Sequence, residues 1–291
     1  MRRWVSFALI VVAGLLAIFF AEHQKIATQA GPQAVLSIAG DAERELSRVP
    51  LNLDELSDAD EIRIGDELAK SYESQWKPDQ EKAKQVEAYI QEVGAVVSSH
   101  AKRKLPYRFH YVPQASFVNA FALPGGHVFL GEGLLKLMQS EDALAAVLGH
   151  EVEHIDLRHC AERVQTEARL RNLGTIGTLL SLPVGVFTAG YSKAQELEAD
   201  RFGTALAVAA GYSPAGILQL LDKLERLERN TGGEKSAGNP SPVDEAAHVS
   251  IQTLEDYFRS HPPAIERKEQ MEALVRSEHW PDPPLRILKL K

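Results

Sequence analysis

Residues 143–158 read ALAAVLGHEVEHIDLR, and this stretch decides how the rest of the chain must be arranged around it. It places a His-Glu-x-x-His pattern at His150, Glu151 and His154 inside a run of helix-forming residues. On a helix, residues four apart differ by about 40° in azimuth and one turn in height, so both imidazoles point at one position, where a divalent ion fits. Glu151 lies on the adjoining edge, placed to accept a proton from water held by such an ion. Leu144, Val147, Leu148, Val152 and Ile155 gather on a face centred about 115° away from the histidines, at about 100° per residue. The spacing therefore predicts one packed face and a neighbouring face open to a cleft.

The helix opens at Ser140, an N-cap residue followed by Glu141 and Asp142, whose charges suit the positive end of the helix dipole, and its pattern extends to about Arg171. Two histidines hold zinc poorly, and catalytic zinc sites have three protein ligands plus a water. The stretch YSKAQELEADRF, residues 191–202, sets Glu196 and Asp200 on one helical face: one can bind the metal while the other accepts a hydrogen bond from a ligand imidazole. Glu198 points elsewhere on that helix. In a continuous helix His159 lies about 140° from His154, which is awkward for a ligand. His100, His110, His127, His248 and His279 are isolated, with surface or core roles, and Cys160 reads as a small packed residue.

Outward from this centre, Asp60–Trp76 and Gln80–His100 have helical apolar spacing, broken at Lys77, Pro78 and Asp79. Tyr107–Val112, Phe117–Leu123 and His127–Leu130 read as short strands, the last two joined by a Pro124-Gly125-Gly126 turn. Asn119–Leu123 forms an exposed strand edge on which an extended peptide can pair, with Asn119, Ala120 and Phe121 as candidate substrate contacts and Gly125 and Gly126 permitting close approach. Ser192–Ala210 is a helix ending at Gly211. Another starts at Ser213-Pro214 and carries a core stripe of Ile217, Leu220, Leu221, Leu224 and Leu227, and a last one spans about Pro263–Ser277. Residues 230–249 form a mobile loop. Leu173–Gly190 is an apolar hairpin broken near Pro183 and Gly185 rather than a membrane span, because one crossing would part Glu196 from the histidines. The fold class is α+β, mainly helical with a small mixed sheet beside the His-bearing helix.

The N-terminus locates the protein. Trp4–Ala21 is almost wholly apolar behind Arg2 and Arg3, and at 1.5 Å per residue it reaches about 27 Å, close to a bilayer core. Residues 1–22 are thus a signal anchor, or alternatively a signal peptide that leaves a soluble periplasmic protein. Residues 23–50 are a spacer and residues 51–291 the domain, on the non-cytoplasmic side. A net charge of −8 without a basic stripe excludes a nucleic-acid partner, and one cysteine excludes an internal disulfide.

Several segments, in order, resemble the M48-family zinc metalloproteases of the exported, single-domain, Oma1-like branch: NAFALPGG at 119–126, GLL at 133–135, SEDALAAVLGHEVEH at 140–154, RH at 158–159, ELEADRFG at 196–203 and HPPAIER at 261–267. The likeness covers roughly residues 55–275. It implies a zincin-like fold and one Zn2+ per chain, with Glu196 as third ligand beside His150 and His154 and with Asp200 in support. It makes His261 and Arg267 candidates for contacting substrate or the reaction's oxyanion. Unfolded or extended polypeptides become the implied substrates. The sequence departs from the family at Gly149, where alanine is usual, and no tetratricopeptide repeat follows. A membrane-tethered chaperone with a structural zinc is the rival reading, separated from the enzyme by Glu151, which a chaperone does not need.

Overall fold

The computed structural model describes residues 56–73, 81–171, 182–183, 185–232, 261 and 264–290. The anchor, the spacer, the Lys77-Pro78-Asp79 break, most of the Leu173–Gly190 hairpin and residues 233–249 of the expected 230–249 loop lie outside them, while residues 230–232 of that loop belong to the helix that ends at Gly232. In chain order the elements are α1 (Asp58–Glu73), α2 (Glu81–Ser98), β1 (Arg108–Val112), β2 (Ala120–Leu123), β3 (His127–Gly131), α3 (Glu132–Leu135), α4 (Glu141–Asp156), α5 (His159–Leu170), α6 (Gly185–Thr188), α7 (Lys193–Ala209), α8 (Ala215–Gly232) and α9 (Ala264–Glu278). Among the described residues no helix is long and apolar enough to cross a membrane.

The sheet is mixed: β3 is central, parallel to β1 and antiparallel to β2, with Phe129 opposite both His110 and Phe121. Side chains alternate between its faces. Ala120, Ala122, Val128 and Leu130 enter one apolar cluster with Leu144 and Leu148 of α4, whereas Phe121, Leu123 and Phe129 enter another with Ile64, Leu68 and Tyr72 of α1 and Phe187 of α6. Both faces are covered where β2 and β3 run, so Ala120–Leu123 and Val128–Leu130 are apolar, whereas β1 carries Arg108, His110 and Tyr111. The fold is α+β with a small mixed sheet against the His-bearing helix. Ile217, Leu220, Leu221 and Leu224 of α8 are buried against the same cluster.

Helix α4 differs from the two-faced helix that its spacing predicts, because all sixteen of its residues are buried. Its polar residues are covered by partners from distant segments. The Asp142 carboxylate accepts from the Ser213 amide at 2.7 Å and the Arg286 amide at 2.6 Å. Tyr89 donates to Glu141 at 2.6 Å, and Asp156 accepts from the amides of Lys102 (3.0 Å) and Arg103 (2.6 Å). Ser140 caps the helix, its Oγ accepting from the Ala143 amide at 3.2 Å.

The helix also stops earlier than its pattern. Arg158 adopts φ 64°, ψ 18°, a left-handed conformation that costs a non-glycine residue about 1–2 kcal/mol, and α5 restarts at His159. What holds it is Glu61, wholly buried, which accepts from Arg158 at 2.7 Å and from Arg103 at 2.8 Å; Arg158 also donates to Asp58 at 2.8 Å and the Leu56 carbonyl at 2.9 Å.

Helices α4 and α7 touch through backbone. A Cβ added at Gly149 would lie 2.4 Å from the Gly203 carbonyl oxygen, and one added at Gly203 would lie 2.5 Å from the His150 nitrogen. The departure from alanine at position 149 thus has a local cause. Gly203→Ala is expected to cost about 3 kcal/mol, at the upper end for overpacking because backbone cannot swing aside, with His150 displaced. Gly185→Ala, whose Cβ would meet nothing within 4 Å, is the control in the same denaturation series. Equal unfolding midpoints for the two would refute this account of the crossing.

His110 and His127 are not isolated. His110 Nε2 lies 2.9 Å from His127 Nδ1, His110 Nδ1 2.8 Å from Glu73, and His127 Nε2 2.9 Å from Asp66, with Arg108 also on Asp66. Burial, then the charges of His127 and Arg108, pull His110 down to about 4 from 6.5. The sign follows: a folded-state value below the unfolded one gives stability that is complete above pH 6.5 and lost as the pH falls towards 4, about 3 kcal/mol for this group. His110→Phe should flatten that decline in the urea midpoint. A decline as steep as in wild type would refute the assignment.

Candidate metal centre

Ser192 starts α7 with a reciprocal cap: its side chain accepts from the Gln195 amide, and Gln195 reaches back to the Ser192 amide. This fixes the helix so that Glu196, one turn in, faces α4 across the glycine crossing. His150 Nε2 and His154 Nε2 are 3.1 Å apart, with Glu196 Oε2 3.5 Å from the first and Oε1 3.6 Å from the second. Tetrahedral ligands at the usual 2.0–2.1 Å from zinc stand about 3.3–3.5 Å from each other, so the three groups have the spacing of a coordination shell. Both Glu196 oxygens are buried and, among the described residues, lack any hydrogen-bond partner. A carboxylate so placed needs a cation. The donor set of two imidazoles and a carboxylate fits zinc.

Behind His150, Nδ1 lies 2.9 Å from Asp200 Oδ1. Arg267 donates to both oxygens of Asp200, at 2.8 and 2.6 Å. Burial raises the Asp200 pKa, but Arg267 and His150 outweigh it and hold the carboxyl below its ordinary range. Arg267 is 3% exposed and bonds Asp200 through Nε and Nη2, while it also lines a pocket beside Glu151 and His261. His154 Nδ1 lies 3.0 Å from His159 Nδ1, and the Tyr191 ring stacks on His154 at 4.0 Å between centroids.

Glu151 is 2% exposed, and burial pushes its pKa up to about 7. It lines two small adjoining pockets. One is bounded by Asn119, Ala120, Phe121, Tyr191, Glu196 and His261, the other by Leu134, Val147, Ile217, Leu220, His261 and Arg267. His261 Nε2 is 3.8 Å from Glu196 Oε2. Phe187, Thr188 and Gly190 complete the lining of the first pocket, and Asn119, Ala120 and Phe121 are buried beside it instead of forming the exposed edge expected from the sequence. Gly125 and Gly126 do not reach it. They take φ 78° and 115°, and an added Cβ would collide with Ile62 and Glu61 backbone at Gly125 and with Pro106 at Gly126, so the turn serves docking of α1 and the β1 approach. Sequence reasoning also missed Tyr191 and the His159 contact, the latter hidden by treating α4 and α5 as one helix.

A carboxylate that burial readies for proton transfer near neutrality, beside three donors spaced for one cation and an edge strand, can serve water attack on an amide. Fold and site together are those of a metallopeptidase. Residues 80–275 match Peptidase family M48, and the chain belongs to that family. It is 30% identical over 156 residues to the beta-barrel assembly-enhancing protease of Escherichia coli (strain K12), 47% of this chain and 32% of the relative. It is 30% identical over 174 residues to the mitochondrial metalloendopeptidase OMA1 of Schizosaccharomyces pombe, 56% of this chain and 49% of that one. To the metalloprotease LoiP of Escherichia coli (strain K12) it is 28% identical over 151 residues, 47% of this chain and 60% of that one. The chain thus spans between a third and three fifths of the length of these relatives.

Proposed function

We propose that the chain is a zinc endopeptidase acting on unfolded or flexible protein segments in the cell envelope, held at the membrane through residues 1–22. His150, His154 and Glu196 hold the ion, and Glu151 is the general base. The observation that carries this is the pair of buried Glu196 oxygens, without a hydrogen-bond partner among the described residues, that face two imidazole nitrogens at ligand spacing.

The chemistry a bound zinc ion supplies is Lewis acidity towards water and the scissile carbonyl. The protein's own groups do the rest. Glu151 takes the proton from the attacking water and delivers it to the leaving nitrogen. Asp200, fixed by Arg267, holds His150 in the orientation that presents Nε2. Asn119, Ala120 and Phe121 offer backbone at the edge of the sheet for a peptide of any sequence, and His261 stands where it can meet the reacting carbonyl. The envelope assignment is supported by the apolar N-terminal segment and by relatives whose names place them in beta-barrel assembly and mitochondria.

The test is metal analysis of the full chain in detergent, together with casein cleavage before and after chelation. About one zinc per chain and chelator-sensitive cleavage are expected. Protein that binds no divalent metal defeats the proposal.

A further inference from the structure

The two histidines of the metal centre are buttressed differently. His150 meets a carboxylate directly, whereas His154 meets another histidine: Nδ1 of His154 and Nδ1 of His159 are 3.0 Å apart, and His159 Nε2 lies 3.5 Å from Glu198 Oε2. Both rings are buried, and Glu198 is half exposed. One proton at most occupies the contact between the two Nδ1 atoms. If His154 is to present a lone pair at Nε2, its proton must be on Nδ1, and His159 Nδ1 must accept it. The His159 proton then resides on Nε2, the nitrogen that faces Glu198. We propose that Glu198 and His159 form a positioning relay that fixes the tautomer and orientation of His154, a carboxylate acting through a second imidazole. This rests on the reading of His150, His154 and Glu196 as metal ligands.

The backbone is built for this contact. In an unbroken helix His159 would point about 140° away from His154. The left-handed Arg158, clamped on Glu61 and Asp58, ends α4 and turns the first residue of α5 back towards the histidine five positions earlier. Tyr191, stacked on one face of the His154 ring and 5.9 Å from His159 between centroids, keeps the imidazole in the plane that the relay needs.

The test compares zinc affinity and zinc dissociation rate, by competition with a chromogenic chelator, in the full-length protein and in His159→Phe, His159→Gln and Glu198→Ala, with the thermal midpoint of each metal-free form. His159→Phe removes the acceptor and is expected to weaken zinc binding about 10- to 100-fold, as loss of such supporting groups does. The side-chain carbonyl of His159→Gln still accepts from His154 Nδ1 and should hold affinity within about threefold of wild type. Glu198→Ala, at a half-exposed position that leaves packing intact, should show a smaller loss of the same sign. Wild-type affinity in His159→Phe and Glu198→Ala, beside a wild type that binds zinc, overturns the relay alone. Equal losses in Phe and Gln that track a lowered metal-free midpoint also overturn it, by reducing His159 to packing. A wild type that binds no zinc overturns the metal centre itself.

Discussion

Glu151→Gln is expected to lower peptide cleavage by about 100- to 10,000-fold, the usual worth of a positioned acid–base group, while zinc content stays at the wild-type level. The substitution keeps the shape of a side chain that is 2% exposed between two pockets, so neither packing nor the three donors should move. The amide cannot take a proton from water at any working pH. Stability gives an independent readout. Burial raises the Glu151 pKa to about 7 from 4.5, so the ionised form opposes folding at higher pH and that penalty disappears on protonation. The amide carries no charge, and in the metal-free protein its thermal midpoint at pH 8 should equal or exceed that of wild type. Turnover within a few-fold of wild type would remove Glu151 from the mechanism and return the chain to the tethered-chaperone reading.

Glu196→Gln is the second large effect. It keeps the length of the side chain but removes the charge from two oxygens that are buried without a hydrogen-bond partner among the described residues. Zinc affinity should fall by more than about 100-fold, beyond what loss of a supporting residue costs, and cleavage should vanish at limiting zinc. Chelation should destabilise wild type markedly: metal at 1,000 times its dissociation constant stabilises the folded state by about 4 kcal/mol. The variant should melt at nearly the same temperature with and without chelator. An undiminished chelator response in Glu196→Gln would show that the ion sits elsewhere.

Much of this was legible before any coordinates. The i, i+4 spacing of His150 and His154, the caps at Ser140 and Ser192, and the Leu220–Leu224 stripe are local signals, and local rules decode them. What escaped depends on contacts between distant segments. Nothing in Ile155-Asp156-Leu157-Arg158-His159 announces a left-handed residue, since glycine and asparagine are absent; the turn is held by Glu61, 97 residues earlier. The same holds for α4, which looks two-faced until Asp142 and Asp156 are seen paired with backbone amides from elsewhere. Gly125 and Gly126 suggest room for a ligand, yet the room is taken by α1 and by Pro106.

The bond from the Arg286 amide to Asp142 joins residues 144 apart, and Arg267 reaches Asp200 across 67. At 5–20 residues per second of synthesis, about 7 to 30 seconds separate the emergence of Asp142 from that of its last partner. A nascent chain therefore exposes the His-Glu-x-x-His helix long before the groups that hold it in register exist. The supports at Asp142 and Asp200 therefore form only once residues 267 and 286 have been made and folded back onto segments laid down long before them.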